Sequence, residues 1–265
     1  MSKMMPMKAM ILAAGRGERM RPLTDTCPKP LLRAGGKSLI VWHLERLERA
    51  GFTQIIINHA WLGALVEATL ATDAPKTLGI TYSPEGKALE TAGGIANAMP
   101  LITAGAADDA PFLVVNGDIW CDYDFSCAIT LAGQMAASDA IAHLVMVPNP
   151  AQHPYGDFAL GAGCISEPVA TSIGATSAAV RTTASTATVA STFTFSGIGI
   201  YRPALFNSVT RGNKAKLAPL LRAAMATQQV SGELFTGRWE DVGTPARLAT
   251  LDAELSAAAT TTRPR

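Results

Sequence analysis

Met10 to Arg19 reads Met-Ile-Leu-Ala-Ala-Gly-Arg-Gly-Glu-Arg. The apolar run from Ala9 to Ala14 has the length of a buried strand in a parallel sheet. It breaks at Gly15-Arg16-Gly17. Two glycines flanking one residue let the backbone turn sharply and bring its N–H groups close to an anion. Arg19 adds a planar, permanently charged fork suited to phosphate oxygens. Lys29 follows between Pro28 and Pro30, which restrict its backbone. Gly15, Gly17, Arg19 and Lys29 therefore read as a triphosphate cradle at the end of the first strand of an α/β fold. The dinucleotide pattern G-x-G-x-x-G is broken at Met20, and no G-x-x-x-x-G-K-S/T occurs.

The next segment, Pro22 to Arg33, holds three prolines and reads as an extended loop over a ligand. Ser38 to Ala50 has a helical period, with Leu39, Ile40, His43, Leu44 and Leu47 on one face. His43 on that apolar face reads as a core histidine. Strands follow over Gln54 to Asn58, Ile80 to Ser83, Phe112 to Val115 and Ala142 to Val147. Helices are expected over Leu62 to Leu70, Glu90 to Ala98 with Thr91 as its N-cap, and Phe125 to Ala136. This strand–helix alternation predicts a doubly wound, mostly parallel sheet, a Rossmann-like α/β fold.

From Asn149 the character changes. Residues 149–245 read as a small β-rich elaboration, and 171–192, almost only Ala, Ser, Thr, Val and Gly, as a low-complexity insertion in a hairpin loop. Phe193 to Tyr201 reads as a strand, Lys216 to Met225 as a helix, and Pro245 opens a last helix to about Ala257. The expected organisation is a disordered extension over 1–6, one domain over 7–258 and a frayed tail over 259–265.

Composition bounds the partners. A net charge of +1 argues against a general nucleic-acid or anionic-membrane surface. No apolar run reaches about 18 residues, so no membrane span is expected. Cys27, Cys121, Cys127 and Cys164 form no C-x-x-C, which predicts reduced thiols in a cytoplasmic protein. His59, His143 and His153 show no metal-ligand spacing.

Several motifs carry a family resemblance. L-A-A-G-R-G-E-R-M-R-P-L-T, C-P-K-P-L-L, L-E-T-A-G-G-I, V-V-N-G-D-I, F-S-G-I-G-I-Y and W-E-D-V-G-T-P occur in this order. Together they resemble the sugar-1-phosphate nucleotidyltransferase family over almost the whole chain. Within it, the chain is most similar to the short N-acetylmuramate-1-phosphate uridylyltransferases of peptidoglycan recycling. Mannose-1-phosphate guanylyltransferases share many of the motifs and remain the alternative, beside a non-catalytic sugar-nucleotide sensor on the same fold.

The resemblance implies a soluble, cytoplasmic enzyme, a monomer or small homo-oligomer. It would join UTP to N-acetylmuramate 1-phosphate and release pyrophosphate. It implies catalytic roles for Lys29 and Arg19, and a nucleotide site of Leu12, Ala13, Ala14, Gly15, Gly17, Glu85, Thr91 and Asn116. Gly156, Asp157, Ser196 and Gly197 fall where relatives bind the sugar phosphate. Asp118 and Asp241 fall where relatives hold Mg²⁺, and two carboxylates completed by phosphate oxygens and water suit that ion. Glu85 accepts hydrogen bonds only, which fits uracil or guanine better than cytosine. Glu167 departs from the pattern of many relatives.

Overall fold

The computed structural model describes residues 7–168 and 191–261. Its first half contains strands β1 (Ala9–Leu12), β2 (Arg33–Ala34), β3 (Lys37–Ser38), β4 (Gln54–His59), β5 (Gly79–Pro84) and β6 (Phe112–Asn116). Then come β7 (Ile119–Cys121), β8 (Ala142–Val147), β9 (Phe158–Gly161), β10 (Cys164–Ser166), β11 (Ser191–Tyr201), β12 (Val230–Leu234) and β13 (Trp239–Asp241). The helices are α1 (Leu23–Thr26), α2 (Leu39–Arg49), α3 (Gly63–Asp73), α4 (Glu90–Thr103), α5 (Ser126–Ala136), α6 (Leu217–Ala226) and α7 (Pro245–Thr261).

Nine strands form one sheet in the order β5-β4-β1-β6-β11-β8-β12-β10-β9. β1 lies between β4 and β6 and is parallel to both. β11 enters antiparallel between β6 and β8, and β12 returns parallel to β8. Alternate residues of each central strand serve opposite faces, as the period of two requires. Ile11, Leu113 and Val115 join one core with α2 and α3, through Leu44, Leu47, Val66 and Leu70. Met10, Phe112 and Val114 join the other, with Ile95 of α4 and Leu221 of α6. Helices thus cover both faces, the doubly wound arrangement the sequence rhythm predicts.

The β-rich part is not a separate layer. β9, β10, β11 and β12 all extend the same sheet. β11 begins at Ser191, so Ser191 and Thr192 belong to a strand paired with β9. The remainder of the expected insertion, the expected extension over 1–6 and the last four residues of the expected tail lie outside the described residues. Pro22 to Arg33 is not wholly extended. Pro22 flanks the helical turn α1, and Pro30 sits inside a 3₁₀ turn over Lys29–Leu31, positions where a fixed φ and a missing N–H cost little. Helix α4 runs past Ala98 with Pro100 inside it; Lys8 donates through Nζ to Leu101 O and Ala104 O, satisfying carbonyls at its end. Helix α7 continues to Thr261, beyond the expected start of the tail. Its Leu248, Leu251 and Leu255 pack with Met20, Leu32 and Trp120 in a third cluster.

His43 is fully buried and its Nε2 bonds Ile119 O at 2.8 Å, fixing β7 beside Asp118. Burial pulls its pKa down from 6.5 to about 4, against the opposing pull of the Ile119 bond. The folded form therefore resists a proton that the unfolded chain accepts. Its contribution is complete above about pH 6.5 and is lost as pH falls toward 4. Between pH 7 and pH 5 the loss is about 2 kcal/mol. Urea titrations at the two pH values should show it in the wild type and show it abolished in His43→Gln.

Candidate active site

A polar cavity of about 470 Å³ opens where β1, β4, β5 and β6 end. Open parallel sheets bind ligands at these strand ends. The cavity is lined by Leu12, Ala13, Ala14, Gly15, Gly17 and Arg19 of the glycine loop, by Lys29, Asn116 and Asp118, and by Glu85 and Thr91. Every residue expected to bind the nucleotide is there.

The glycine loop is held from behind. Arg16 turns away from the cavity. Its guanidinium lies 4.0 Å from the Trp61 ring centroid and donates to Thr24 O and Asp25 Oδ1. Thr24 Oγ1 donates to Gly17 O at 2.8 Å. Gly17 has φ 68, and a Cβ there would meet Thr24 Cγ2 at 3.0 Å and Lys29 Cβ at 3.2 Å. Only glycine fits that turn without strain.

Lys29 is 6 % exposed, and its Nζ donates to Asp118 Oδ2 at 2.7 Å. Asp118 is carried there by Gly117, whose N–H donates to Leu12 O at 2.9 Å. A Cβ on Gly117 would lie 2.7 Å from that oxygen, so glycine permits the close crossing of two strand ends. Asp241 arrives from the far end of the chain. The ribbon of β7 and β13 pairs Asp241 with Ile119, and Val242 N donates to Asp118 O. Arg247, in the first turns of α7, donates through Nη1 to Asp241 Oδ2 and to Asp241 O, both at 2.8 Å. A Cβ on Gly243 would lie 2.7 Å from Arg247 Nη2, 3.0 Å from Asp241 Oδ2 and 3.3 Å from Arg19 Nη2. Gly243 is the point on which these three side chains converge.

Among the described residues no group of three or more His, Cys, Asp and Glu forms a metal cluster. The donor set that does exist is two hard carboxylates beside a phosphate-type loop, Asp118 in the turn between β6 and β7 and lining the cavity, and Asp241 at the end of β13 next to it. That set fits Mg²⁺, which takes one or two carboxylates and completes its shell with phosphate oxygens and water.

Glu85 has a more internal role than base reading alone. Its Oε1 accepts from Asn58 Nδ2 at 2.6 Å, and its Oε2 from Leu89 N at 2.8 Å. Asn58 Oδ1 in turn accepts from Ala13 N at 2.8 Å. Burial raises the Glu85 pKa, opposed by the Asn58 and Leu89 bonds. This chain of contacts ties β5 to the exit of β1. Gly94 makes room for it: a Cβ would lie 2.5 Å from Glu85 Oε1 and 2.7 Å from Asn58 Nδ2. Alanine inside a helix ordinarily stabilises by about 1 kcal/mol over glycine. Here overpacking outweighs that gain, and Gly94→Ala should destabilise by about 1–3 kcal/mol, read as a lower midpoint in urea. Thr91 is not the N-cap; α4 begins one residue earlier, with Leu89 flanking it.

The four residues expected at the sugar phosphate do not line this cavity. They gather beside it on β11 and the loop before β9. A bulge lies between Phe195 and Ile198; Ser196 and Gly197 within it are both buried, and Ser196 Oγ accepts from Ile198 N at 3.1 Å. Gly197 has φ 84 and packs so closely on Asn116 that a Cβ would lie 2.6 Å from its Nδ2. Asp157 Oδ2 accepts from Phe195 N at 2.8 Å, and its Oδ1 lies 3.1 Å from His153 Nε2. Gly156 has φ 66 and fits between Asn149 and Phe193. Glu167 is paired with Arg222 at 2.7 Å.

Asn58, Glu90, Lys214 and Arg247 escape the sequence reading. Asn58 sits at the end of an otherwise apolar run, the one signal that marks it. Lys214 lines the cavity because Ala215 N donates to Leu89 O and Gly93 N donates to Ala215 O, a docking no spacing reveals.

A doubly wound sheet with a glycine loop, a buried lysine and Asp118 at its strand ends, and Asp241 brought up on the β7–β13 ribbon, has the form of a nucleotide-handling protein. Residues 8–257 match the nucleotidyl transferase family model, and the chain belongs to that family. It is 49% identical to an N-acetylmuramate alpha-1-phosphate uridylyltransferase of Neisseria meningitidis serogroup B, over 91% of this chain and 95% of that protein. It is 40% identical to a mannose-1-phosphate guanyltransferase of Schizosaccharomyces pombe, over 45% of this chain and 32% of that protein. The solved UDP-glucose pyrophosphorylase from Acinetobacter baumanii superposes with a TM-score of 0.71 at 16% identity, covering 97% of this chain and 98% of that one, a likeness of fold. Among the described residues no helix is long and apolar enough to cross a membrane.

Proposed function

We propose that the protein transfers a uridylyl group from UTP to N-acetylmuramate 1-phosphate, giving UDP-N-acetylmuramate and pyrophosphate, for peptidoglycan recycling in the cytoplasm. The observation that carries this reading is the match along almost the whole length of a uridylyltransferase; the guanyltransferase match spans less than half the chain. The partners are small molecules, not nucleic acid or membrane, and the working unit is a monomer or small homo-oligomer.

A sugar-phosphate oxygen attacks the α-phosphorus of UTP. The bond from that phosphorus to the bridging oxygen breaks, and pyrophosphate leaves. The attacking oxygen is already anionic, so no general base is required. Catalysis is positioning and charge neutralisation. The loop at Gly15 and Gly17, with Arg19, holds the β- and γ-phosphates. Lys29 neutralises charge that gathers on the α-phosphate. Asp118 and Asp241 are the residues that would hold Mg²⁺, which would supply further charge neutralisation at the phosphates. Ser196, Gly197, Gly156 and Asp157 present the sugar phosphate beside Asn116.

Pyrophosphate release over a grid of nucleoside triphosphates and sugar 1-phosphates, with and without Mg²⁺, tests the reading. Release with UTP and N-acetylmuramate 1-phosphate alone is expected. Release with GTP and mannose 1-phosphate instead would overturn the substrate pair, and nucleotide binding without release from any pair would overturn transfer itself.

A further inference from the structure

Glu90 opens helix α4 with φ 63. That left-handed conformation is one that residues with side chains avoid. Its neighbours hold it there. Leu89 N donates to Glu85 Oε2, Leu89 O accepts from Ala215 N, and Gly93 N donates to Ala215 O. The backbone on both sides is tied, and the strained residue between them faces the cavity, which it lines with Ala88 and Thr91. Strain that a surrounding structure maintains concentrates at ligand sites.

Two carboxylates stand at this end of the cavity, and they differ. Both oxygens of Glu85 already accept hydrogen bonds, from Asn58 and Leu89. The Glu90 side chain is exposed and has no hydrogen-bond or ion-pair partner among the described residues. Its acceptors are open to a ligand. A carboxylate has no donors and repels phosphate, so its ligand is the uncharged part of the nucleotide. There the available donors are ribose hydroxyls and a base N–H. Lys214 lines the same cavity, carried there by Ala215, whose N–H donates to Leu89 O.

We propose that Glu90 is a specificity residue whose carboxylate accepts hydrogen bonds from the nucleoside donors of the substrate, aimed at them by its left-handed backbone. The proposal rests on the nucleotidyl-transfer reading for its substrate. Its test is separable, because it reads binding rather than turnover.

Calorimetry on the full chain would compare UTP, 2′-deoxy-UTP and 3-methyl-UTP in the wild type, Glu90→Gln and Glu90→Gly. The wild type should favour UTP over at least one analogue by about tenfold. The analogue disfavoured identifies the donor as hydroxyl or N–H. Glu90→Gly should reduce that preference to less than about twofold, and Glu90→Gln, which keeps one acceptor, should fall between. Glycine suits the left-handed position, so the melting temperature of Glu90→Gly should hold or rise by about 2 °C. Preferences unchanged in both variants would overturn the proposal, as would a melting temperature several degrees lower in Glu90→Gly, which marks a structural side chain. A wild type that binds UTP but releases no pyrophosphate defeats the transfer reading, while the binding ratios still decide the role of Glu90.

Discussion

Lys29→Ala should lower the rate of pyrophosphate release by about a thousandfold, the scale of losing one preorganised charge at a reacting phosphorus. The fold should survive, because the partner left behind, Asp118, has a side chain 40% exposed and regains water. The reverse substitution behaves differently. Asp118→Ala leaves a lysine with an 8% exposed side chain unpaired, and a nearly buried polar group without a partner costs about 1–3 kcal/mol. Both variants should be nearly inactive, and only Asp118→Ala should also melt early. Single-turnover rates and thermal melts on the pair read this asymmetry. A Lys29→Ala rate within about tenfold of wild type would remove Lys29 from the chemistry. Lys29→Arg should not restore the rate, since a planar fork does not replace a compact charge in a site this enclosed.

Asn58→Ala should produce the largest loss of stability of any substitution around the cavity. It strips a partner from Ala13 N and from Glu85 Oε1 at once. At about 1–3 kcal/mol for each group left unsatisfied, the total is about 3 kcal/mol, or a melting temperature lowered by about 10 °C. The backbone from Ala13 to Gly15 loses its anchor, so the KM for nucleotide should rise by more than about tenfold. Asn58→Asp separates the two contacts. It keeps the acceptor for Ala13 but sets a second carboxylate against Glu85, whose pKa burial already raises. Relative to wild type at the same pH, that variant should therefore recover stability as the pH is lowered and the carboxyl pair takes up a proton; Asn58→Ala should show no such relative recovery.

These contacts mark the boundary of what is legible in the chain itself. The Ala9-to-Gly17 stretch is legible because an apolar run and a glycine break act locally, within one strand and one turn. Helix α2 is legible because its buried face repeats with the helical period. The antiparallel entry of β11 between β6 and β8 is not legible, since strand order depends on crossovers and not on side-chain pattern. The same holds for how the β-rich elaboration over 149–245 joins the sheet, since a change of composition near Asn149 marks the segment but not its pairing partners. At the site, Asp118 and Lys29 carry local signals, a strand end and flanking prolines. Arg247 resembles any basic residue on an exposed helix until the β7–β13 ribbon brings Asp241 beneath it. Glu90 resembles an ordinary first-turn acid, favoured there by the helix dipole, and only its φ sets it apart.

The β7–β13 ribbon also sets an order of events during synthesis. Gly17, Lys29 and Asp118 leave the ribosome early, with much of the sheet still to come. Asp241, Gly243 and Arg247 emerge only after the last strand of the nine-stranded sheet, together with the helix that seats Leu251 and Leu255 against Met20 and Trp120. A nascent chain therefore carries the glycine loop and Asp118 well before Asp241 joins them. With the proposed roles of Asp118 and Asp241, competence for transfer would arrive in one step, when β13 zips onto β7, and a chain stalled before Trp239 would hold its sheet strands without that step.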